Sequence, residues 1–180
     1  MSKALGIDWA TKEKKRGKVV AECNEDGEIK LCVLGKEEEV IELLNNSEYD
    51  VTAVDVPFGY PKAFVEFISN WDIKNPKPPE KDIFRFRNTE RIVKRECDAT
   101  PLSTGADKIA LSVREWFLTL KKIEGGKPFE RIDFGERERT GNPIIEVYPK
   151  AALLQLEFNI TGYKKKDNEG LSKRKEISKC

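Results

Sequence analysis

Short apolar runs separated by polar turns open the chain and predict three strands. The runs cover 4–10, 18–23 and 28–34. The second and third runs flank a turn that contains Asp26-Gly27, and Asp-Gly between two such runs is the strongest short-range signal of a β-hairpin. We therefore expect the second and third strands to pair with each other.

The next segment predicts a helix and a fourth strand. Apolar residues share one helical face of 36–46. They are Val40, Ile41, Leu43 and Leu44. Another apolar run begins at Val51 and is stopped by Pro57. The opening of the chain therefore predicts the order strand, strand, strand, helix, strand.

The remainder of the chain predicts helices, charged loops and one more strand. Helical spacing of large apolar residues recurs over 60–71 and 103–123, and 87–97 suits a basic helix or a turn. A short strand at 144–147 leads through a proline into a helix that ends at about 158.

Polar segments complete this organisation. Proline is frequent in 75–82, and 125–142 is a charged, glycine-rich loop. We expect a single domain over 1–180, with a proline-rich and charged insertion around 72–142. The tail 163–180 is polar and rich in lysine, which is typical of a frayed or solvated end.

Composition removes several classes of chemistry. The chain has no histidine, which excludes Ser-His-Asp and Cys-His mechanisms and histidine zinc sites. Its four cysteines form no Cys-x-x-Cys pair, so we expect reduced thiols and no zinc or redox motif. At neutral pH there remain carboxylates with a metal ion, lysine, tyrosine, or a carboxylate of raised pKa.

Charge and hydropathy bound the location and the partners. The first apolar run is far too short for a signal sequence or a membrane span, so we expect a cytoplasmic protein with no membrane association. The formal net charge is +1, so contact with nucleic acid would need a local basic patch.

Three acidic residues lie at the ends of predicted strands. Asp8 and Asp55 each end a buried strand, and Glu146 belongs to the short strand before Pro149. Ligands of open α/β sheets bind outside the carboxyl ends of strands, so the two aspartates would face each other if their strands are neighbours. Adjacent carboxylates repel unless a cation or proton joins them, and Mg²⁺ or Mn²⁺ is the natural partner.

The same acids have ordinary structural roles as alternatives. An acidic residue at a strand end also caps helices, pairs with arginine, or is simply solvated. The sequence spacing alone leaves these alternatives open beside a shared metal site.

Basic and aromatic residues supply candidates for nucleic-acid contact. Arg87, Arg91 and Arg95 recur every four residues, so a helix would align them on one side, as suits phosphate groups. Arg91 and Arg95 equally suit ion pairs with neighbouring acids, for which Glu90, Glu96 and Asp98 are at hand. Tyr60, Trp9 and Trp71 suit stacking on bases, but core packing is the better interpretation of both tryptophans.

Several segments together resemble a known family, the predicted nucleases of the ribonuclease H-like superfamily that carry the label domain of unknown function 429. The matching segments span nearly the whole chain and stand in the family's order. They are Gly6-Ile7-Asp8-Trp9-Ala10, Val54-Asp55-Val56-Pro57-Phe58-Gly59-Tyr60-Pro61, Arg95-Glu96-Cys97-Asp98, Glu146-Val147-Tyr148-Pro149-Lys150-Ala151-Ala152 and Tyr163-Lys164.

The resemblance implies an α/β fold of ribonuclease H-like type. In that fold a mixed sheet, made of a three-stranded antiparallel unit plus helix-linked parallel strands, is flanked by helices. It further implies that Asp8 and Asp55 bind catalytic metal ions, that Glu146 joins them, and that Arg95, Asp98 and Lys164 lie near the cleft.

One departure from the family concerns its final helix. Members usually continue into a last helix with further aspartates, and this chain ends at Cys180, so we expect the fold to lack that helix. Either the chain is naturally short, or it is a fragment, or another acid such as Asp98 or Asp107 substitutes.

The leading hypothesis is a metal-dependent nuclease that hydrolyses phosphodiester bonds in DNA or RNA. Asp8, Asp55 and Glu146 would bind Mg²⁺ or Mn²⁺, and Arg91, Arg95, Asp98, Tyr60 and Lys164 would contact substrate. One alternative is a phosphotransferase of the actin-like or sugar-kinase type, which lacks its glycine-rich phosphate loops here. Another is a non-catalytic nucleic-acid-binding or regulatory module on the same fold.

Overall fold

The protein contains a six-stranded mixed sheet. The structure is a computed structural model that describes residues 3–9, 18–34, 36–45, 49–70, 77, 79–97, 99–103, 107–123, 132–133 and 143–177. The strands are β1 (Ala4–Asp8), β2 (Lys18–Cys23), β3 (Ile29–Leu34), β4 (Val51–Asp55), β5 (Ile132–Asp133) and β6 (Ile144–Glu146). Their order across the sheet is β3-β2-β1-β4-β6-β5.

The pairing directions confirm the predicted fold class. Strands β1, β2 and β3 pair antiparallel, whereas β1 with β4, β4 with β6, and β6 with β5 pair parallel. Helices flank this α/β sheet. The arrangement is consistent with a ribonuclease H-like fold.

The hairpin between β2 and β3 forms where the sequence predicts it. The side-chain Oδ1 of Asn24 accepts hydrogen bonds from the backbone N–H groups of Asp26, at 3.0 Å, and Glu28, at 2.8 Å. Gly27 has a φ of +81°, a backbone conformation that residues with a Cβ rarely adopt. The Asx turn and the glycine together explain why this short segment reverses the chain.

The helices are α1 (Glu37–Asn45), α2 (Lys62–Ser69), α3 (Lys81–Arg85), α4 (Asn88–Glu96), α5 (Asp107–Leu120), α6 (Pro149–Gln155) and α7 (Asn168–Ile177). Helices α1, α2, α5 and α6 lie within the predicted segments, and 87–97 contains a helix rather than a turn. Helix α3 was not predicted from the sequence, because it is too short to show a periodic pattern.

Helix α7 lies in the tail that the sequence pattern assigned to a frayed or solvated end. Polar contacts stabilise it. The Oδ1 atom of Asp167 accepts a hydrogen bond from the N–H of Gly170 at 2.9 Å. Arg174 donates to the backbone oxygens of Tyr163, at 2.6 Å, and Lys165, at 2.8 Å. Because these contacts are polar, hydrophobic periodicity could not reveal the helix.

The chain divides into two compact units. The first contains Met1–Asn88 and Leu102–Val147, and the second contains Thr89–Pro101 and Tyr148–Cys180. This division does not measure whether either unit folds alone, so the single-domain organisation stays a prediction.

The hydrophobic core of the first unit lies on one face of the sheet. Leu5 and Ile7 of β1, Val54 of β4 and Ile144 of β6 are nearly or completely buried. They belong to one cluster with residues of α1 and α5, namely Val40, Leu44, Trp116 and Leu120. The opposite face of β1 and β4 carries Asp8 and Asp55, which is what a period of two requires.

Strand β3 exposes its apolar residues on that opposite face. Leu31 is 70% exposed and Val33 is 71% exposed, and both are register partners of the β2 residues that lie opposite the core. Val20 of β2, on the core face, is fully buried. The hairpin is therefore anchored to the core mainly through β2, and β3 adds the partly buried Leu34.

Two sequence predictions concern location and thiols. Within the part of the chain that the structure describes, no helix is both long and apolar enough to cross a membrane. Cys23, Cys32 and Cys97 are free cysteines, as expected. The cytoplasmic location stays a prediction.

Candidate functional site

Asp8 and Asp55 lie side by side at the carboxyl ends of neighbouring strands. Asp8 is the last residue of β1, Asp55 is the last residue of β4, and the two are register partners in the parallel pair. Register partners on adjacent strands point to the same face of a sheet, about 4.8 Å apart along the hydrogen-bonding direction. The sequence pattern predicted that the two carboxylates would face each other if their strands were neighbours, and β1 and β4 are neighbours.

The two carboxylates differ in their exposure to water. Asp8 is exposed, and Asp55 is half-buried. Two negative charges at this spacing repel one another, and a cation that binds both relieves the repulsion. This sheet edge therefore carries one exposed and one half-buried carboxylate.

Three aromatic rings anchor the backbone behind the acid pair. Trp9 follows Asp8 directly, and its ring meets Trp116 of α5 edge-on, with centroids 5.1 Å apart and an interplanar angle of 69°. Phe58, three residues after Asp55, stacks on the same Trp116 at 5.9 Å and 16°. All three rings are buried, so both strand ends are held against one side chain. Trp9 is a core residue, as the sequence analysis favoured.

Glu146 belongs to a different row of the sheet. It is the register partner of Val54, which in turn pairs with Ile7, and both apolar residues lie on the core face. Because side chains alternate along a strand, Glu146 starts from the face opposite Asp8 and Asp55. The register of the sheet therefore places the two aspartates together on one face and directs the side chain of Glu146 toward the other face.

The carboxylate of Glu146 is engaged by protein groups. Arg87 donates to Oε1 at 2.5 Å from one guanidinium nitrogen and to Oε2 at 2.8 Å from another. The backbone N–H of Phe58 donates to Oε2 at 2.8 Å. Only 13% of the Arg87 side chain and 21% of the Glu146 side chain are exposed. Pairing with arginine was one of the structural alternatives that the sequence left open.

A closed metal cage is absent from the described residues. Among them, the structure contains no group of three or more histidine, cysteine, aspartate or glutamate side chains that could hold a metal ion. The role of Glu146 as a third metal ligand stays a prediction.

Arg87 was missed as a partner of Glu146 because no local signal links them. Its spacing from Arg91 and Arg95 suggested one basic helical face, but α4 begins at Asn88 and Arg87 precedes it. The two residues of the ion pair are separated by 59 positions in the sequence. Only the tertiary structure could reveal the contact.

The candidate phosphate contacts lie in the second unit. Arg91 and Arg95 are exposed on α4, and Arg95 pairs with its neighbour Glu96 at 2.5 Å. Both side chains of that pair are more than half exposed, so the pair is weak. Lys164 is also exposed, with its Nζ 5.5 Å from the centre of the Tyr163 ring. These exposed cations stay predicted substrate contacts.

Two further candidates complete the set. Tyr60 is half-buried in the first unit, and its hydroxyl donates a hydrogen bond to the backbone oxygen of Ala110 at 2.9 Å. Its predicted contact with substrate is untested. Asp98 lies outside the residues that the structure describes, as do Trp71 and the side chain of Asp107.

Comparison with known proteins identifies the family but no activity. The model of a family described as protein of unknown function, DUF429, matches residues 6–179. The chain belongs to the DUF429 family. No curated protein and no solved structure matches it. The matched range contains every candidate site residue named above, so the acid pair of this DUF429 chain lies within the family's shared region.

Proposed function

We propose that this DUF429 chain is a divalent-metal-dependent nuclease of ribonuclease H-like type, which hydrolyses phosphodiester bonds in nucleic acid. The observation that carries the proposal is the register of Asp8 with Asp55 at the carboxyl ends of two adjacent parallel strands. In open α/β sheets this edge is where ligands bind. The absence of histidine leaves carboxylates with a metal ion among the few chemistries available at neutral pH.

The donor set fits Mg²⁺ or Mn²⁺. These ions prefer oxygen ligands, and Mg²⁺ usually keeps several waters and binds through one or two carboxylates plus substrate phosphates. Two carboxylates in register at one sheet edge match that pattern. When bound, such an ion supplies charge stabilisation at phosphate and an activated water.

The residues of the chain divide the remaining work. Asp8 and Asp55 hold the ion, and Trp9, Phe58 and Trp116 keep the two strand ends fixed so that the carboxylates stay together. Arg91, Arg95 and Lys164 contribute contacts to the phosphate backbone, which are independent of base sequence and weaken with salt. We therefore expect the protein to bind nucleic acid with less sequence specificity than a protein that reads the bases directly.

A cleavage assay with matched variants tests the proposal. Purified protein is incubated with Mn²⁺ and end-labelled single-stranded DNA, single-stranded RNA, duplex DNA and DNA–RNA hybrid. Asp8→Asn and Asp55→Asn should each reduce cleavage at least about a hundredfold, because each removes a ligand charge. Asp26→Asn is the control, since Asp26 lies exposed in the β2–β3 turn at the other end of the sheet.

Three outcomes contradict the proposal and point elsewhere. Absence of cleavage on every substrate with Mn²⁺ or Mg²⁺ removes its support. Nucleic-acid binding that is unchanged by Asp8→Asn and by chelation, without turnover, favours a non-catalytic module. A nucleotide-induced rise in melting temperature in place of cleavage favours a phosphotransferase.

A further inference from the structure

Glu146 joins three segments of the first unit that are distant in the sequence. Its carboxylate lies at the end of β6 and receives two hydrogen bonds from Arg87, which stands between α3 and α4. It receives a third from the backbone N–H of Phe58, in the loop after β4. We call these three residues, Arg87, Glu146 and Phe58, the carboxylate clamp.

The clamp acts on the backbone that carries Asp55. Phe58 lies three residues after Asp55, with its N–H bound by Glu146 and its ring stacked on Trp116. On the other side of Asp55, the backbone oxygen of Val54 accepts a hydrogen bond from the N–H of Val147 at 3.0 Å. The end of β6 therefore holds the chain on both sides of Asp55.

The geometry and burial of the clamp suit a structural contact. Both carboxylate oxygens of Glu146 are occupied by Arg87, in the bidentate geometry that makes the strongest arginine–carboxylate pairs. A cation at Glu146 would have to displace a guanidinium that is itself mostly buried. The alternation of side chains along β6 also directs Glu146 away from the face of Asp8.

We propose that Glu146 and Arg87 are positioning residues that hold Asp55 in place for a divalent cation, and that Glu146 is not a ligand of that cation. This inference rests on the proposed metal site at Asp8 and Asp55. Residues that orient metal ligands typically change metal affinity by about 10- to 100-fold when they are replaced.

The sign of the effect of Arg87→Gln separates positioning from ligation. Mn²⁺ is titrated into the wild type, Glu146→Gln, Arg87→Gln and the double variant, with Asp26→Asn as control, and the apparent dissociation constant is measured by calorimetry. If Glu146 positions Asp55, both single variants weaken Mn²⁺ binding by roughly tenfold or more, and the double variant is no weaker than the worse single one. If Glu146 is a ligand, Arg87→Gln frees its carboxylate and leaves Mn²⁺ binding equal or stronger, which overturns the inference.

A second measurement keeps the clamp testable if the wild type binds no Mn²⁺, a result that defeats the proposed function itself. Hydrogen exchange of the Phe58 amide is then compared in the same proteins without metal. The clamp predicts faster exchange at Phe58 in Glu146→Gln and in Arg87→Gln than in the wild type. Wild-type protection in both variants overturns it. If the glutamine variants do not fold, Arg87→Lys keeps the charge, loses the bidentate geometry and gives the same comparison.

Discussion

Asp8 and Asp55 occupy the same register position on two adjacent parallel strands, so their carboxylates leave one face of the sheet together. The two residues are far apart in the sequence, and each ends its own apolar run. Their proximity results from the pairing of β1 with β4. This pairing is stabilised on the core face by the buried side chains of Leu5 and Ile7 on β1 and Val54 on β4. The functional proposal depends on this single geometric fact.

Replacing Asp8 should reveal the repulsion between the two carboxylates. Asp8→Asn removes one of two like charges, and because Asp8 is exposed, we expect the metal-free protein to gain at most about 1 kcal/mol of stability. If Mn²⁺ binds the acid pair as proposed, it should raise the melting temperature of the wild type but not that of this variant. Thermal melts with and without Mn²⁺ measure both effects. A destabilised Asp8→Asn that keeps its Mn²⁺ response contradicts the interpretation.

Trp116 should be the most sensitive single position behind the acid pair. It is fully buried and contacts both Trp9 and Phe58, so Trp116→Ala removes the ring that anchors both strand ends. We expect a loss of about 3–5 kcal/mol in urea denaturation, the usual range for a buried aromatic residue. Leu118→Ala on the same helix is the matched control, because Leu118 is 36% exposed and should lose far less. Equal losses would mean that the core does not centre on Trp116.

The orientation of the β2–β3 hairpin predicts opposite tolerance at two apolar positions. Leu31 is 70% exposed, so Leu31→Lys should change the free energy of unfolding by no more than about 0.5 kcal/mol. Val20 is fully buried, and Val20→Ala should cost about 2 kcal/mol through lost burial and a cavity. Urea denaturation of both variants checks the register. A large loss at Leu31 with tolerance at Val20 would place the opposite face of the hairpin against the core.

The stability of the α7 region should depend on acid pH through Glu169. A hydrogen bond from Lys165, with the charges of Lys165 and then Lys173, lowers the pKa of Glu169 below its ordinary value of 4.5. A carboxyl whose pKa is lowered in the folded state stabilises the fold above the unfolded pKa, and this contribution is lost as the pH falls through the folded pKa. The effect is small, because the paired side chains are more than half exposed.

Glu169→Gln tests this dependence. The variant should melt slightly below the wild type at pH 7, and the difference should vanish once the pH is well below 4.5. Glu157→Gln, which replaces an exposed glutamate of the same unit, serves as control. A difference that persists unchanged in acid would show that the charge of Glu169 is not its cause.

Local signals in the sequence were sufficient for several features. Asp26-Gly27 predicted the hairpin because an Asx turn and a glycine at positive φ are determined within five residues. Val40 and Leu44 of α1 are buried as their helical spacing predicted. Helix α7 escaped prediction because charged and capping contacts stabilise it, and these leave no apolar period.

The sequence by itself predicted five of the six strands in the described residues, the acids at their ends and the exclusion of histidine chemistry, because turn residues, apolar period and composition are local properties. The prediction of a loop over 125–142 was wrong at β5 (Ile132–Asp133), which is too short to show an alternating pattern. Only the tertiary structure decided which acids meet. Register between β1, β4 and β6 depends on how distant segments pack, and it pairs Asp8 with Asp55 but Glu146 with Val54. A shift of one residue would have reversed the face of each side chain, so no local pattern could have separated the aspartate pair from the glutamate that Arg87 holds.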